Sequence, residues 1–200
     1  ELIGAVGLFL SWHGHFESLS SAIYHSCFHA VSAFCNAGFS TFSDSLMGFQ
    51  ADVGVNATIC GLIVFGGPGF RVIQGILDAL RDRLRGKPRN RSQVQTSIVL
   101  RMTVFLIVAG AVAVYLTERS GLLSGLTAGE VGLGAVFQSI TARTAGFNTL
   151  DIGRLSSATL FVTIVLMFIG RLGPLTVAYA MLPAHAKIHY KYAEERMRIG

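Results

Sequence analysis

The chain has 200 residues, of which 52% are hydrophobic and only 14% charged, with a mean hydropathy of +0.56. A soluble domain carries about 25% charged residues, so this composition argues against an ordinary soluble enzyme and for an integral membrane protein. The formal net charge of +5 is weak evidence for a nucleic-acid partner, and none is expected, because most Lys and Arg sit in two blocks. The three cysteines, Cys27, Cys35 and Cys60, form no CxxC pair and read as small packing residues in apolar segments.

In chain order, residues 2–12 predict the end of a transmembrane helix. The chain opens inside an apolar run, so the first helix is expected to be truncated. Trp12 suits an interfacial position, followed by His13 and His15 in an outer loop. Residues 20–34 predict a second helix, with Ser20 or Ser21 as N-cap. Its length of about 15 residues falls short of the roughly 20 that a bilayer span needs, which suits a re-entrant segment. Residues 44–56 form a mixed connection. Residues 58–80 predict a spanning helix interrupted by Gly66-Gly67-Pro68-Gly69, a sequence that breaks or kinks a regular helix. Arg71 follows, near the inner mouth, and residues 81–91 form a basic loop. Residues 94–117 predict an unbroken span of about 36 Å at about 1.5 Å per residue, with Arg101 snorkelling toward the basic loop. A Gly/Ser-rich connection over 118–129 leads to a second short helix over 131–141. The apolar run 155–182 is broken at Gly170-Arg171-Leu172-Gly173-Pro174. The tail over 185–200 carries Lys187, Lys191, Arg196 and Arg198, with His185 and His189 near the interface.

One short motif occurs twice in this pattern. Ala37-Gly38-Phe39-Ser40-Thr41 returns 108 residues later as Ala145-Gly146-Phe147-Asn148-Thr149. Each copy follows a short apolar segment and precedes a long broken one. The positive-inside rule places both 81–91 and the basic tail in the cytoplasm. Parity then requires that the short segment before Gly146 dip into the membrane and return. The expected fold is all-α integral membrane, built of helix–pore loop–helix (M1-P-M2) repeats related to potassium channels. The first unit is 1–80, the cytoplasmic loop 81–93, the second unit 94–184 and the cytoplasmic tail 185–200.

A monovalent cation entering a membrane sheds water, and backbone carbonyls aimed at one axis can replace it. Glycine allows the backbone to turn successive carbonyls the same way and keeps a Cβ out of the lumen. A short helix before such a loop points its negative C-terminal end at the cation. Gly38 and Gly146 fit this role, with the rings of Phe39 and Phe147 expected to pack behind the loops.

The runs AIYHSCFHAVSAFCNAGFST (22–41), FQSITARTAGFNTLDI (137–152) and MFIGRLGPLT (167–176) resemble the membrane subunit of the Trk/Ktr/HKT potassium-uptake superfamily. Residues 190–200 look like the close of a Ktr-type subunit. The resemblance implies K⁺ as the transported ion, no other cofactor, a cell-membrane location, and a cytoplasmic nucleotide-binding ring that regulates opening. It makes Gly38 and Gly146 filter glycines, flanked by the carbonyls of Asn36, Ala37, Thr144 and Ala145, with Phe39 and Phe147 completing the two filter segments. Glycine in both filters favours K⁺ over Na⁺. Arg171, with Gly170 and Gly173, matches a gate below the filter. An intramembrane Arg costs about 2.5–3.5 kcal/mol on insertion scales, so an idle one is not expected. Members have four units, whereas this chain carries fewer than two complete ones. Its second filter looks like the third unit's and the helix after it like the fourth's. Two copies about a dyad would supply four filters, so a homodimer is expected.

Two other readings follow from the residues. The chain could be a non-conducting accessory that packs against a full-length subunit. Alternatively, His25 and His29, four apart on one helix face, could ligate a metal, although no carboxylate or third histidine is near in sequence. Gly66–Phe70 lacks the Lys-Ser/Thr of a phosphate loop. Arg143 is expected to pair with Asp151 or brace the second loop. The sequence offers no Ser/His/Asp set or paired carboxylates at catalytic spacing, so enzymatic activity is not expected.

Overall fold

The computed structural model describes residues 1–67, 70–85 and 91–172, and every regular element among them is helical. The elements are α1 (Leu2–Trp12), α2 (Leu19–Phe34), α3 (Val53–Gly66), α4 (Phe70–Leu84), α5 (Arg91–Glu118), α6 (Ala128–Thr144) and α7 (Ser157–Leu172), with single 3₁₀ turns at His13–His15, Met47–Phe49 and Ile152–Arg154.

The helix starts are set by side chains that satisfy free N–H groups. Ser18, rather than Ser20 or Ser21, caps α2 by accepting from Ser21 N. Asp52 caps α3. Thr127 and Glu130 form a reciprocal capping box that starts α6 three residues before the predicted 131. Ser156 caps α7 by accepting from Thr159 N. α3 ends at Gly66 and α4 begins at Phe70; Pro68 and Gly69, where the break is expected, lie outside the described residues. The second half of the run is amphipathic and continues through Leu84. Residues 81–84, expected in the basic loop, are therefore helical, because no Gly or Pro stands between Gly75 and Gly86.

Two groups of three helices repeat the same arrangement. In the first, α1, α2 and α3 pack together; in the second, α5, α6 and α7 do, and α3 against α6 joins the groups. The outer helices of each group are antiparallel. Leu62 lies against Gly4, Thr58 against Gly7 and Ser11 against Gly54, so α1 and α3 run in opposite directions. Likewise Leu166 lies against Gly110, Thr159 bonds Thr117, and Ser156 N donates to Glu118. Within α5, Thr96–Glu118 is long and apolar enough to cross a membrane, with 28% of its most apolar window buried. The helices α3 and α7 supply shorter apolar stretches, Val53–Gly66 and Ser157–Gly170.

The main core spans both groups: Leu8, Trp12, Ala33, Val55, Ile59 and Ile63 meet Phe137, Ile140 and Phe147. Trp12, expected at an interface, is 0% exposed. Its ring lies 5.2 Å from His29, 5.7 Å from Phe42 and 5.2 Å from Phe49. Its indole N–H donates to Ser26 Oγ at 2.7 Å, so both its apolar body and polar edge are satisfied inside.

Glu118 is the buried carboxylate of the second group. It accepts from Ser156 N at 2.7 Å, Thr159 Oγ1 at 2.7 Å and Leu122 N at 3.1 Å, tying the end of α5 to the start of α7. Its negative charge also complements the positive N-terminal end of α7. Glu118→Ala is expected to cost about 3 kcal/mol, the scale of one or two charge-assisted bonds. Unfolding of the purified protein in detergent would check this; a loss below about 0.5 kcal/mol would contradict the clamp.

Candidate functional site

Each AGF loop begins where a short helix ends. After α2 the chain passes Asn36, at φ +53°, and Gly38, at φ +72°; after α6 it passes Gly146, at φ +95°. These left-handed angles are what reverse the chain, and glycine adopts them without a Cβ penalty. Beyond Gly38 the chain runs back along α2. Ser32 Oγ donates to the Phe39 carbonyl at 2.8 Å, Ser40 Oγ pairs with His29 Nε2 at 3.0 Å, and Thr41 Oγ1 pairs with His25 Nδ1 at 2.6 Å. Three side chains at successive turns of one helix face thus hold three consecutive loop residues. In the second loop, Thr141 Oγ1 donates to the Phe147 carbonyl at 2.8 Å, the counterpart of the Ser32 bond.

The two loops meet. Thr144 Oγ1 donates to Asn36 Oδ1 at 2.9 Å, joining two positions separated by the 108-residue repeat. On the other flank, Asn148 N donates to Ser45 Oγ at 3.1 Å and Leu46 N donates to the Asn148 carbonyl at 2.9 Å. A Cβ on Gly38 would overlap the Ala145 carbonyl oxygen, whereas one on Gly146 would meet only Gly38 Cα, at 3.9 Å. Both α2 and α6 therefore direct their C-terminal ends at one backbone junction, where partial negative charge accumulates.

The broken-helix glycines serve this junction as well. A Cβ on Gly66 would overlap the Phe34 carbonyl at the end of α2, and one on Gly170 would overlap the Arg143 carbonyl at the end of α6. The same contact recurs in both groups, so these glycines let the following helix press on the helix end behind each loop.

The structure gathers Asn36, Gly38, Thr144, Ala145 and Gly146 into one place, with Ala37 between Asn36 and Gly38 in the first loop. The two phenylalanines differ. Phe147 is 0% exposed in the core, as expected, whereas Phe39 is 69% exposed. Its side of α2, at Ile23, Tyr24 and Val31, is an open apolar groove, because no element of the described chain covers it. The Phe39 and Phe147 carbonyls each accept a hydroxyl bond from their own helix. Arg143 does not pair with Asp151. The Asp151 carboxylate caps Gly153 N, and Arg143 Nε is buried with no hydrogen-bond partner among the described residues. The side chain of Arg171, all of Gly173 and the tail over 185–200 lie outside the described residues.

His25 and His29 are held by protein. The His29 Nδ1–H donates to the His25 carbonyl at 2.8 Å, leaving Nε2 to accept from Ser40. No group of three or more metal-ligating side chains occurs among the described residues. Ser32, Thr141, Ser45 and the backbone of Asn148 went unremarked in the sequence. The signal for Ser32 and Thr141 is a hydroxyl residue near the end of each short helix, seven residues before Phe39 and six before Phe147.

The model for the family described as TrkH, cation transport protein, matches residues 3–178. The chain belongs to this family of membrane cation transporters. It is 40% identical over 172 residues to Ktr system potassium uptake protein B of Vibrio alginolyticus, covering 85% of this chain and 36% of that protein. It is 38% identical over 153 residues to the Bacillus subtilis protein of the same name, covering 76% and 33%. Against potassium/sodium uptake protein NtpJ of Enterococcus hirae it is 36% identical over 171 residues, covering 85% and 36%. The chain thus spans about a third of the length of these relatives.

The two glycines are not interchangeable. Gly146→Ala is expected to cost about 1 kcal/mol, for the left-handed angle alone. Gly38→Ala adds the overlap with Ala145 and is expected to cost about 3 kcal/mol. Thermal unfolding of the two variants in detergent would check the difference; equal losses would contradict the contact.

Proposed function

We propose that this chain forms part of a potassium-uptake pathway in the cell membrane, with the two AGF loops as segments of its selectivity filter. The observation that carries the reading is the junction itself: two glycines with positive φ, one repeat apart, held against each other by Asn36–Thr144 and Ser45–Asn148. Such a junction offers backbone oxygens in a fixed array, which suits a dehydrated monovalent cation. The ligands are drawn from the carbonyls of Asn36, Ala37, Gly38 and Phe39 and of Thr144, Ala145, Gly146 and Phe147. The printed names of the relatives, two for potassium and one for potassium and sodium, support K⁺ as the cargo. No resident cofactor is needed for this chemistry.

Each group of helices acts as a helix–pore loop–helix unit, 1–80 and 94–184. The antiparallel outer helices and the chain reversal at each glycine favour a loop that enters and leaves on one face of the bilayer. In that orientation residues 81–91 and the C-terminus face the cytoplasm. Arg171, flanked by Gly170 and Gly173, is the gate: a fixed positive charge beside the path lowers cation occupancy. A nucleotide-binding ring on the cytoplasmic side follows from the family resemblance.

Two units do not enclose a pore. The first unit covers the Phe147 side of the second, while the equivalent Phe39 side of the first is open. That asymmetry supports further units beside Phe39, from a second copy of the chain in a homodimer or from a longer polypeptide. It equally favours reading the chain as one portion of a larger pathway.

Rubidium uptake into proteoliposomes tests the proposal. Uptake above that of empty vesicles, outcompeted by K⁺ more than by Na⁺, is expected. Gly38→Ser and Gly146→Ser should lower that discrimination, and Arg171→Ala should raise flux. No uptake, or unchanged discrimination in both serine variants, would sink the filter assignment.

A further inference from the structure

The two filter segments, if they act as proposed above, are held unequally. The first is fastened to its own helix at three successive residues, by His25, His29 and Ser32. If Ser32 is matched to Thr141 by their bonds to the phenylalanine carbonyls, a helix register of 109 rather than the 108 of the loops, the residues of α6 opposite the three are Gly134, Gln138 and Thr141. Gly134 has no side chain to offer. Gln138 and Thr149, the counterparts of His29 and Thr41, are each 2% exposed, yet Gln138 Oε1 and Thr149 Oγ1 have no hydrogen-bond partner among the described residues. Only the Thr141 clasp remains.

What holds the far flank of the second loop is the first unit. Asn148 gives its N–H to Ser45 Oγ and its carbonyl to Leu46 N–H. Ser45 is fixed in turn: it sits at φ +61°, its N–H donates to the Phe42 carbonyl at 3.3 Å, and its carbonyl faces Ser40 Oγ at 3.2 Å. Phe42 N donates to that same Ser40 hydroxyl at 3.1 Å, and the Phe42 ring stacks on His29 at 4.9 Å and lies 5.1 Å from His25. An unbroken set of contacts therefore runs from the two histidines, through residues 40–46, to Asn148. In the other direction Thr144 Oγ1 bonds Asn36 Oδ1 before the first glycine and the Thr141 hydroxyl bonds only within its own unit, so among the described residues no side chain of the second unit bonds residues 39–46.

We infer that His25 and His29 are positioning residues for both filter loops: they set the first directly and the second through the 40–46 segment. The ordering is one-way. Loosening the histidine face frees both loops, whereas loosening Thr141 frees only the second.

Hydrogen exchange read by mass spectrometry on the purified chain tests this without any ion movement, so its failure is separate from failure of the filter assignment. His29→Leu should speed exchange in peptides covering 39–46 and also 146–150, by about five- to tenfold, the scale of one lost hydrogen bond. Ser40→Ala should do the same while leaving the aromatic cluster whole, which covers the case in which H29L fails to fold. His29→Gln, which keeps an acceptor for Ser40, should stay near the parent in 146–150. Thr141→Val should speed 146–150 and leave 39–46 unchanged. Parent-like exchange at 146–150 in S40A would overturn the inference. So would a Gln variant that behaves like Leu, or a T141V variant that loosens 39–46 as much as 146–150. The His29 ring also lies 6.3 Å from that of Phe147, so a purely packing role predicts faster exchange at 146–150 in H29L and none in S40A.

Discussion

The junction between the two AGF loops is the constraint on which the rest of the fold depends. A chain that reverses inside a packed core leaves carbonyls without a ladder, and such groups are costly unless something else satisfies them. Here the cost is met in three ways. Hydroxyls of Ser32 and Thr141 take the phenylalanine carbonyls, the loops bond each other at both flanks, and the ends of α2 and α6 back them. The outer helices serve this arrangement: Gly66 and Gly170 bring α3 and α7 against those two helix ends.

Much of this was legible in the sequence because it repeats. The recurrence of AGF, the short helix before it and the broken run after it fixed the elements and their order. The positive φ of Gly38 and Gly146 follows from the residue type. The misses have local causes. Helix α6 starts early because Thr127 and Glu130 form a capping box, a Thr-x-x-Glu signal present in the chain. Hydropathy alone places Trp12 at an interface, but nearby Phe16 and, from distant positions, Phe42 and Phe49 close around it. The histidines share a helix face, as their spacing requires. Their partners, Ser40 and Thr41, come within reach only once the chain has reversed.

Phe39 and Phe147 show where a motif stops being informative. Both stand in the same five-residue frame, yet one is buried and the other exposed, because burial is decided by the unit alongside. The chain covers about a third of its relatives' length, and among the described residues no element covers the groove beside Phe39. The exposed apolar residues of α1, Leu2, Ile3, Val6 and Leu10, fit a surface that faces lipid or further helices. Arg143 Nε and Gln138 Oε1 are buried around the second loop without hydrogen-bond partners among the described residues.

As proposed, the junction binds a dehydrated cation and prefers K⁺. A ligand that binds only the folded state raises stability by RT ln(1 + [L]/Kd). The most direct measurement is therefore the Tm of the purified chain in detergent at constant ionic strength, with K⁺ replaced stepwise by Na⁺. The account predicts a Tm that climbs with K⁺ and a response that disappears in Gly38→Ala. A Tm indifferent to which of the two cations is present would contradict it.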